Sequence, residues 1–234
     1  MKAHVYTPEE HRTWARLFER QLNSRTRQIH PMFAEGIRIL ELESDRVPDL
    51  NRVNTILKHR TGFEGVLVIG HEDPRSFFPM LSERKFPIGN FIRSAGDLGY
   101  TPAPDVFHDL YGHLPFLVND EYADFSEKFG RVAAQYLHEP ELLRQFERLY
   151  WFTIEFALIR TPEGNKVFGA GIASSASEVE YALSDQPKVT PFDFEKIRHL
   201  EFKIDEFQKQ LFLLESTAQL YDCLEDFDSG VKRQ

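Results

Sequence analysis

Cysteine is almost absent: Cys223 is the only one in 234 residues. No disulfide can therefore close within the chain, and a zinc site built from several cysteines is excluded. One thiol and no disulfide fit a reducing compartment, and the chain is expected in the cytoplasm. Long apolar runs are missing as well. Met1 to His11 holds none that could serve as an export signal, and nowhere do eighteen consecutive apolar residues occur to span a bilayer. Basic residues are in the minority, 28 Lys and Arg against 37 Asp and Glu, with no compensating basic run. A phosphate backbone would be repelled, so nucleic acid is not an expected partner. Internal repeats, low-complexity tracts and linkers are also lacking, which leaves one domain over residues 1–234.

What the chain does have is aromatic side chains, 21 of them Phe, enough with its aliphatic residues for a sizeable core. Thr7, Pro8 and Glu10 read as an N-cap, a first-turn proline and a capping-box acid, followed by Trp14, Leu17, Phe18 and Leu22 on one helical face. Val53, Ile56 and Leu57 predict a helix after Pro48-Asp49, and Gly65 to Ile69 a short buried strand. Helical spacing returns from Asp120 to Leu137, and again from Pro140 through Leu143, Phe146, Tyr150 and Ile154. Thr161 to Asn165 is a turn leading into an extended piece, Lys166 to Phe168, a local hairpin at best. Ser175 to Glu178 is a second capping box. Beyond a turn from Pro187 to Pro191, Phe202 to Leu214 is expected to hold short strands before a last helix. The fold class is thus mostly α (α+β), a single compact helix-rich domain with a few short strands.

Seven of the nine histidines stand alone in polar or helical contexts; His108 and His113 do not. They share the run Pro104 to Pro115, where Pro104 and Asp105 suit a first helical turn and Gly112 with Pro115 would end it. Five positions on an ideal helix rotate by roughly 140°, so both imidazoles reach one ion only if the helix loosens near Gly112. Spacing alone does not separate such a pair from two histidines that fall together by chance. A third group strengthens the case, because Glu155 is the one carboxylate in the strongly apolar run Tyr150 to Ala157. Burying an unpaired charge there is expensive, and a metal would offset the cost. A salt bridge from Glu155 to Arg93 or Arg160 is the structural alternative. Two histidines and a carboxylate serve either a zinc hydrolase or a non-haem iron oxygenase with open coordination positions. The His-Glu-x-x-His spacing of metalloproteases is absent, which favours iron. A helical interaction protein, in which these histidines and aromatics only pack, is the rival from another class.

The blocks Tyr100-Thr101-Pro102, Pro104-Asp105, His108 to Pro115, Tyr150 to Phe156 and Phe168 to Ser175 together resemble the signature blocks of the pterin-dependent aromatic amino acid hydroxylases. Similarity at Thr61 to Phe63, Leu81 to Phe86, Arg93 and Phe207 to Leu220 extends the resemblance over residues 50–222. It implies a monooxygenase using Fe(II), tetrahydropterin (tetrahydrobiopterin or a bacterial analogue) and O2. His108, His113 and Glu155 would be the catalytic iron ligands. Leu81, Phe86, Asp109 and Tyr150 would receive the pterin. Arg93, Tyr100, Thr101, Pro104, Trp151, Phe156, Ser174 and Ile204 would form the substrate site, with Asp105 orienting Arg93 and Ser174 supporting His108. Asp109 stands where animal members usually carry Glu, which shortens its reach by one methylene. Without the regulatory domain and tetramerisation helix of the animal enzymes, a monomer or weak dimer is implied. Trp151 and the apolar Ile204 favour L-phenylalanine, hydroxylated to L-tyrosine, over tyrosine; tryptophan hydroxylation and 3-hydroxylation of phenylalanine are the alternatives within the family.

Overall fold

The computed structural model describes residues 4–70, 72–99 and 104–231. Helix α1 (Pro8–Arg20) opens on the expected capping box: the Thr7 hydroxyl accepts from the Glu10 amide, and the Glu10 carboxylate accepts from the Thr7 amide. It buries Trp14, Leu17 and Phe18. The chain turns at Gln21 before α2 (Leu22–Arg27), which leaves Leu22 50 % exposed rather than on the buried face with them. Helix α3 (Pro31–Ile39) precedes α4 (Leu50–Thr61), which starts on the Asp49 cap after Pro48 and ends at left-handed Gly62.

The predicted strand is β1 (Glu64–Val68), one residue earlier than expected, so that Ile69 is exposed. Helix α5 (Pro74–Ser82) then carries the chain to β2 (Lys85–Gly89), which pairs in parallel with β1, Gly65 opposite Phe86. This short crossover unit places Leu81 and Phe86 side by side at its inner end. Helices α6 (Leu114–Leu117), α7 (Asp120–Ala133) and α8 (Pro140–Tyr150) form the centre. The core is largely aromatic: Phe107 stacks on Tyr111, Trp14 meets Phe107 edge-on, and Phe33 bridges Tyr111 and Phe116. Such edge-to-face and offset contacts add about 0.5–1.5 kcal/mol each beyond the area they bury.

The C-terminal third differs most from expectation. Strands β3 (Ala157–Thr161) and β4 (Gly164–Val167) make the predicted hairpin, but it belongs to a sheet of order β4-β3-β6-β5. The short α9 (Ala170–Ala173) leads to α10 (Ala176–Ala182), capped by Ser175 as expected. The segment read as a turn up to Pro191 contains β5 (Lys188–Pro191), which pairs in parallel with β6 (Gln210–Leu214). Between them lie α11 (Phe194–Ile197) and an irregular stretch, so of Phe202 to Leu214 only the last five residues are strand. Parallel pairing is a long-range outcome that no local pattern encodes. Helix α12 (Ala218–Val231) closes the fold. Among the described residues no helix is long and apolar enough to cross a membrane.

Candidate active site

The histidines come together because the backbone between them is not α-helical. His108–His113 is a π turn, with the Leu114 amide reaching five residues back to the Asp109 carbonyl. In that geometry residues five apart lie on one face, which supplies the loosening that the sequence required. The helix does not end at Gly112, however. Pro115 lies where the π turn passes into α6, and the chain stays helical to Leu117. A second π turn, Trp151–Glu155, continues α8, and the Phe156 amide closes it on the Trp151 carbonyl. It delivers Glu155 opposite the imidazoles.

His113 Nε2 lies 3.0 Å from His108 Nε2 and 3.1 Å from Glu155 Oε1, and His108 Nε2 lies 3.7 Å from Glu155 Oε2. Donors about 2.1 Å from one ion are about 3.0 Å apart on an octahedral face and about 3.4 Å apart in a tetrahedron. Three donors converge at the spacing of a first-row metal, and the spacing alone does not choose between iron and zinc. Among the described residues this is the one cluster of such groups able to hold an ion. The arginine alternative is excluded, since Arg93 pairs with Asp105 and Arg160 with Glu215.

Electrostatics prepare the site for a cation. Burial pulls the His108 imidazole down to a pKa of about 4, so its ring is neutral and able to ligate near neutral pH. Burial pushes Glu155 upward, but the facing His113, then His108 and the Gly171 amide outweigh it and keep the carboxylate below its ordinary value. Ser174 Oγ stands 3.0 Å from His108 Nδ1 and also donates to the Gly171 carbonyl, fixing the ring from behind. Close approach makes this possible at two glycines. A Cβ on Gly112 would lie 2.9 Å from the Ala170 carbonyl and 3.1 Å from Ser174 Cβ, and one on Gly169 would lie 2.1 Å from the Glu155 carbonyl oxygen.

Asp105 is fully buried and accepts four hydrogen bonds: from the Arg93 amide, Nε and Nη2, and from the His108 amide. It therefore ties Arg93 and the backbone of His108 to one carboxylate. Asp109 is also buried. Burial first, opposed only by the Gly89 amide it accepts from, raises its carboxyl well above the usual range. Phe86 lies against His113 with ring centroids 4.5 Å apart, and a small cavity beside His113 is shared by Leu81, Phe86 and Tyr150 with Tyr122 and Ser126. Trp151 packs between Phe156 and Phe202 at 4.6 and 4.5 Å. Pro104 is exposed at the start of the ligand segment, while Tyr100 and Thr101 lie outside the described residues. Ile204 is not brought to the site: it is 66 % exposed, two residues beyond the ring that covers Trp151. Sequence reasoning missed Phe202 and also Phe77, which meets Tyr150 at 5.0 Å, because an aromatic in the chain reads as core until its neighbours are known.

Two imidazoles and one carboxylate on paired π turns of a helix-rich domain define a mononuclear, non-haem metal centre of the two-histidine, one-carboxylate class. The profile of the biopterin-dependent aromatic amino acid hydroxylases matches residues 2–234. Phenylalanine-4-hydroxylase of Chromobacterium violaceum is 42 % identical over 93 % of this chain and 73 % of its own length. That of Caulobacter vibrioides is 37 % identical over 98 % and 78 %. The C. violaceum enzyme with bound oxidized Fe(III) matches this fold with a TM-score of 0.92 at 41 % identity, over 96 % of this chain and 82 % of that one. Its structure with iron(III) and oxidized 7,8-dihydrobiopterin gives 0.91 at 39 % identity, over 97 % and 84 %. The chain belongs to the biopterin-dependent aromatic amino acid hydroxylases.

Proposed function

We propose that this protein is an iron(II)- and tetrahydropterin-dependent monooxygenase that converts L-phenylalanine and O2 to L-tyrosine. The observation that carries this reading is the convergence of His108, His113 and Glu155 in a chain so similar to enzymes named for 4-hydroxylation of phenylalanine. One C. violaceum structure holds both iron and phenylalanine, at a TM-score of 0.87 and 40 % identity over 93 % of this chain and 79 % of that one.

The donor set fits iron: two imidazole nitrogens and one carboxylate leave a divalent ion with open positions. Iron and reduced pterin, when bound, supply the activation of O2. The chain's own residues do the rest. Ser174 holds the His108 ring, and the π turns hold the other two ligands. Asp105 occupies Nε and one Nη2 hydrogen of Arg93, leaving part of the guanidinium free to receive the substrate carboxylate. Phe86, with Leu81 and Tyr150 around the cavity beside His113, offers an apolar face for the pterin, and Asp109, its carboxyl oriented by the Gly89 amide, offers it a polar contact. Trp151 and Phe156 wall the substrate ring and exclude water. Ile204, at the surface, does not supply the discrimination against tyrosine that its sequence position suggested; the aromatic wall is left to do so. We place the protein in the cytoplasm as a monomer or weak dimer.

The test is anaerobic loading with Fe(II), then turnover with a reduced pterin and O2 on Phe, Tyr and Trp, with product identification. Para-tyrosine from Phe at the highest kcat/KM is expected. A preference for Trp or Tyr, or meta-tyrosine as the main product, refutes the substrate assignment. Failure to take up iron refutes the chemistry.

A further inference from the structure

The irregular stretch between α11 and β6 is tied down where Phe207 stacks on Tyr181 and at two arginines of the helix that leads into the metal site. Arg144 and Arg148 are one turn apart on α8, three to seven residues before Trp151. Both bind the carboxylate of Glu201: Arg144 Nη2 at 3.3 Å to one oxygen and Arg148 Nη2 to the other. Arg148 also donates to the Arg198 carbonyl at 3.2 Å. The next residue, Phe202, lies flat on the Trp151 indole with centroids 4.5 Å apart and planes 16° from parallel, and the Arg144 guanidinium covers it at 4.6 Å. Hydrogen bonds from Arg148 and then Arg144 keep the Glu201 carboxyl below its ordinary value.

We propose that Glu201 is a positioning residue for substrate selection: bound to Arg144 and Arg148, it latches residues 198–203 onto α8 and seats Phe202 on Trp151. The ring wall is then formed by Phe156, Trp151 and Phe202, and its last member is held by this charged latch together with an edge contact on the buried Phe152 at 6.3 Å. This rests on the reading that Trp151 walls the substrate ring. The geometry has two consequences. The latch acts on the aromatic ring and not on iron or pterin, because it touches Arg144, Arg148 and, through Phe202, Trp151, rather than a metal donor or Phe86. It also weakens with salt, because the carboxylate is exposed.

The test uses the iron-loaded enzyme with saturating tetrahydropterin. Glu201→Gln keeps the shape and removes the charge. It should raise KM for Phe about threefold, in the range of an exposed ion pair, with kcat, iron stoichiometry and pterin KM unchanged. Wild-type KM for Phe should rise with ionic strength more steeply than that of Glu201→Gln, whose remaining slope belongs to the contact of Arg93 with the substrate carboxylate, and Glu201→Asp should restore part of the difference. Phe202→Leu should raise the Trp-to-Phe ratio of kcat/KM by about tenfold, the scale of a change in pocket shape. An unchanged KM for Phe in Glu201→Gln, or the same salt response in both proteins, overturns the latch. So does a parallel rise in pterin KM, which would mean general loosening. If the wild type itself fails to hydroxylate Phe, the reading on which the latch rests falls instead, and the two failures are thereby told apart.

Discussion

Replacing Asp105 by Asn removes one charge and changes almost nothing in shape, yet the structure makes it a severe perturbation. Oδ1 accepts from Arg93 Nη2 at 2.8 Å and from the His108 amide at 3.0 Å; Oδ2 accepts from Arg93 Nε at 2.8 Å and from the Arg93 amide at 2.9 Å. An amide can present its oxygen to only one of these pairs. Whichever way it turns, its NH2 faces two N–H donors, two hydrogen bonds are lost, and the buried guanidinium loses its counter-charge. Breaking a buried pair in this manner costs about 3–5 kcal/mol, a large part of the roughly 5–15 kcal/mol that holds a domain folded. Urea denaturation of the iron-free protein reads this directly. The double variant Arg93→Met with Asp105→Asn should recover at least about 2 kcal/mol relative to additivity, because no uncompensated charge remains. The sign with pH is also fixed. Burial would raise the Asp105 carboxyl, but Arg93 holds it below its ordinary value. The pair thus stabilises the fold above the unfolded carboxylate pKa, and that contribution is lost as pH falls through the lower folded value. A loss below about 1 kcal/mol in the single variant, where a surface pair would fall, would refute this account.

Three further outcomes follow from the site. His108→Ala, His113→Ala and Glu155→Ala should each abolish stoichiometric iron binding, while Ser174→Ala should cost about 10–100-fold in iron affinity or activity; full occupancy in the ligand variants would sink the assignment. Glu178, whose carboxyl burial raises to about 7, should destabilise the fold as pH rises from its unfolded value through 7. Glu178→Gln is therefore expected to be about 3 kcal/mol more stable than wild type at pH 8 and equal to it near pH 4, as read by denaturation across that range. Gly169→Ala drives a Cβ into the Glu155 carbonyl oxygen, and should lower stability by about 1–3 kcal/mol and iron occupancy with it; unchanged iron content and melting would show that the backbone there yields.

The sequence by itself determined several capped helices, because capping and periodicity are local: Thr7 with Glu10, Asp49 and Ser175 each start a helix where expected, while α3 and α5, also capped, were not anticipated. It also nominated His108, His113 and Glu155 as candidate donors, since an isolated carboxylate in an apolar run is costly unless paired, but an arginine partner for Glu155 stayed open until the fold was known. Tertiary structure decided what depends on partners distant in the chain. The parallel pairing of β5 and β6 turned a predicted turn into a strand, and the register between β1 and β2 set Phe86 against His113. Ile204 and Phe202 are both apolar and two residues apart, and no local property says which one reaches Trp151. Packing against α8 settles it, placing Phe202 on the indole and leaving Ile204 in solvent. The π turns lie between these two cases. The spacing of His108 and His113 required a departure from the α-helix, but its form depends on the approach of α9, whose carbonyl at Ala170 leaves no room for a side chain at Gly112.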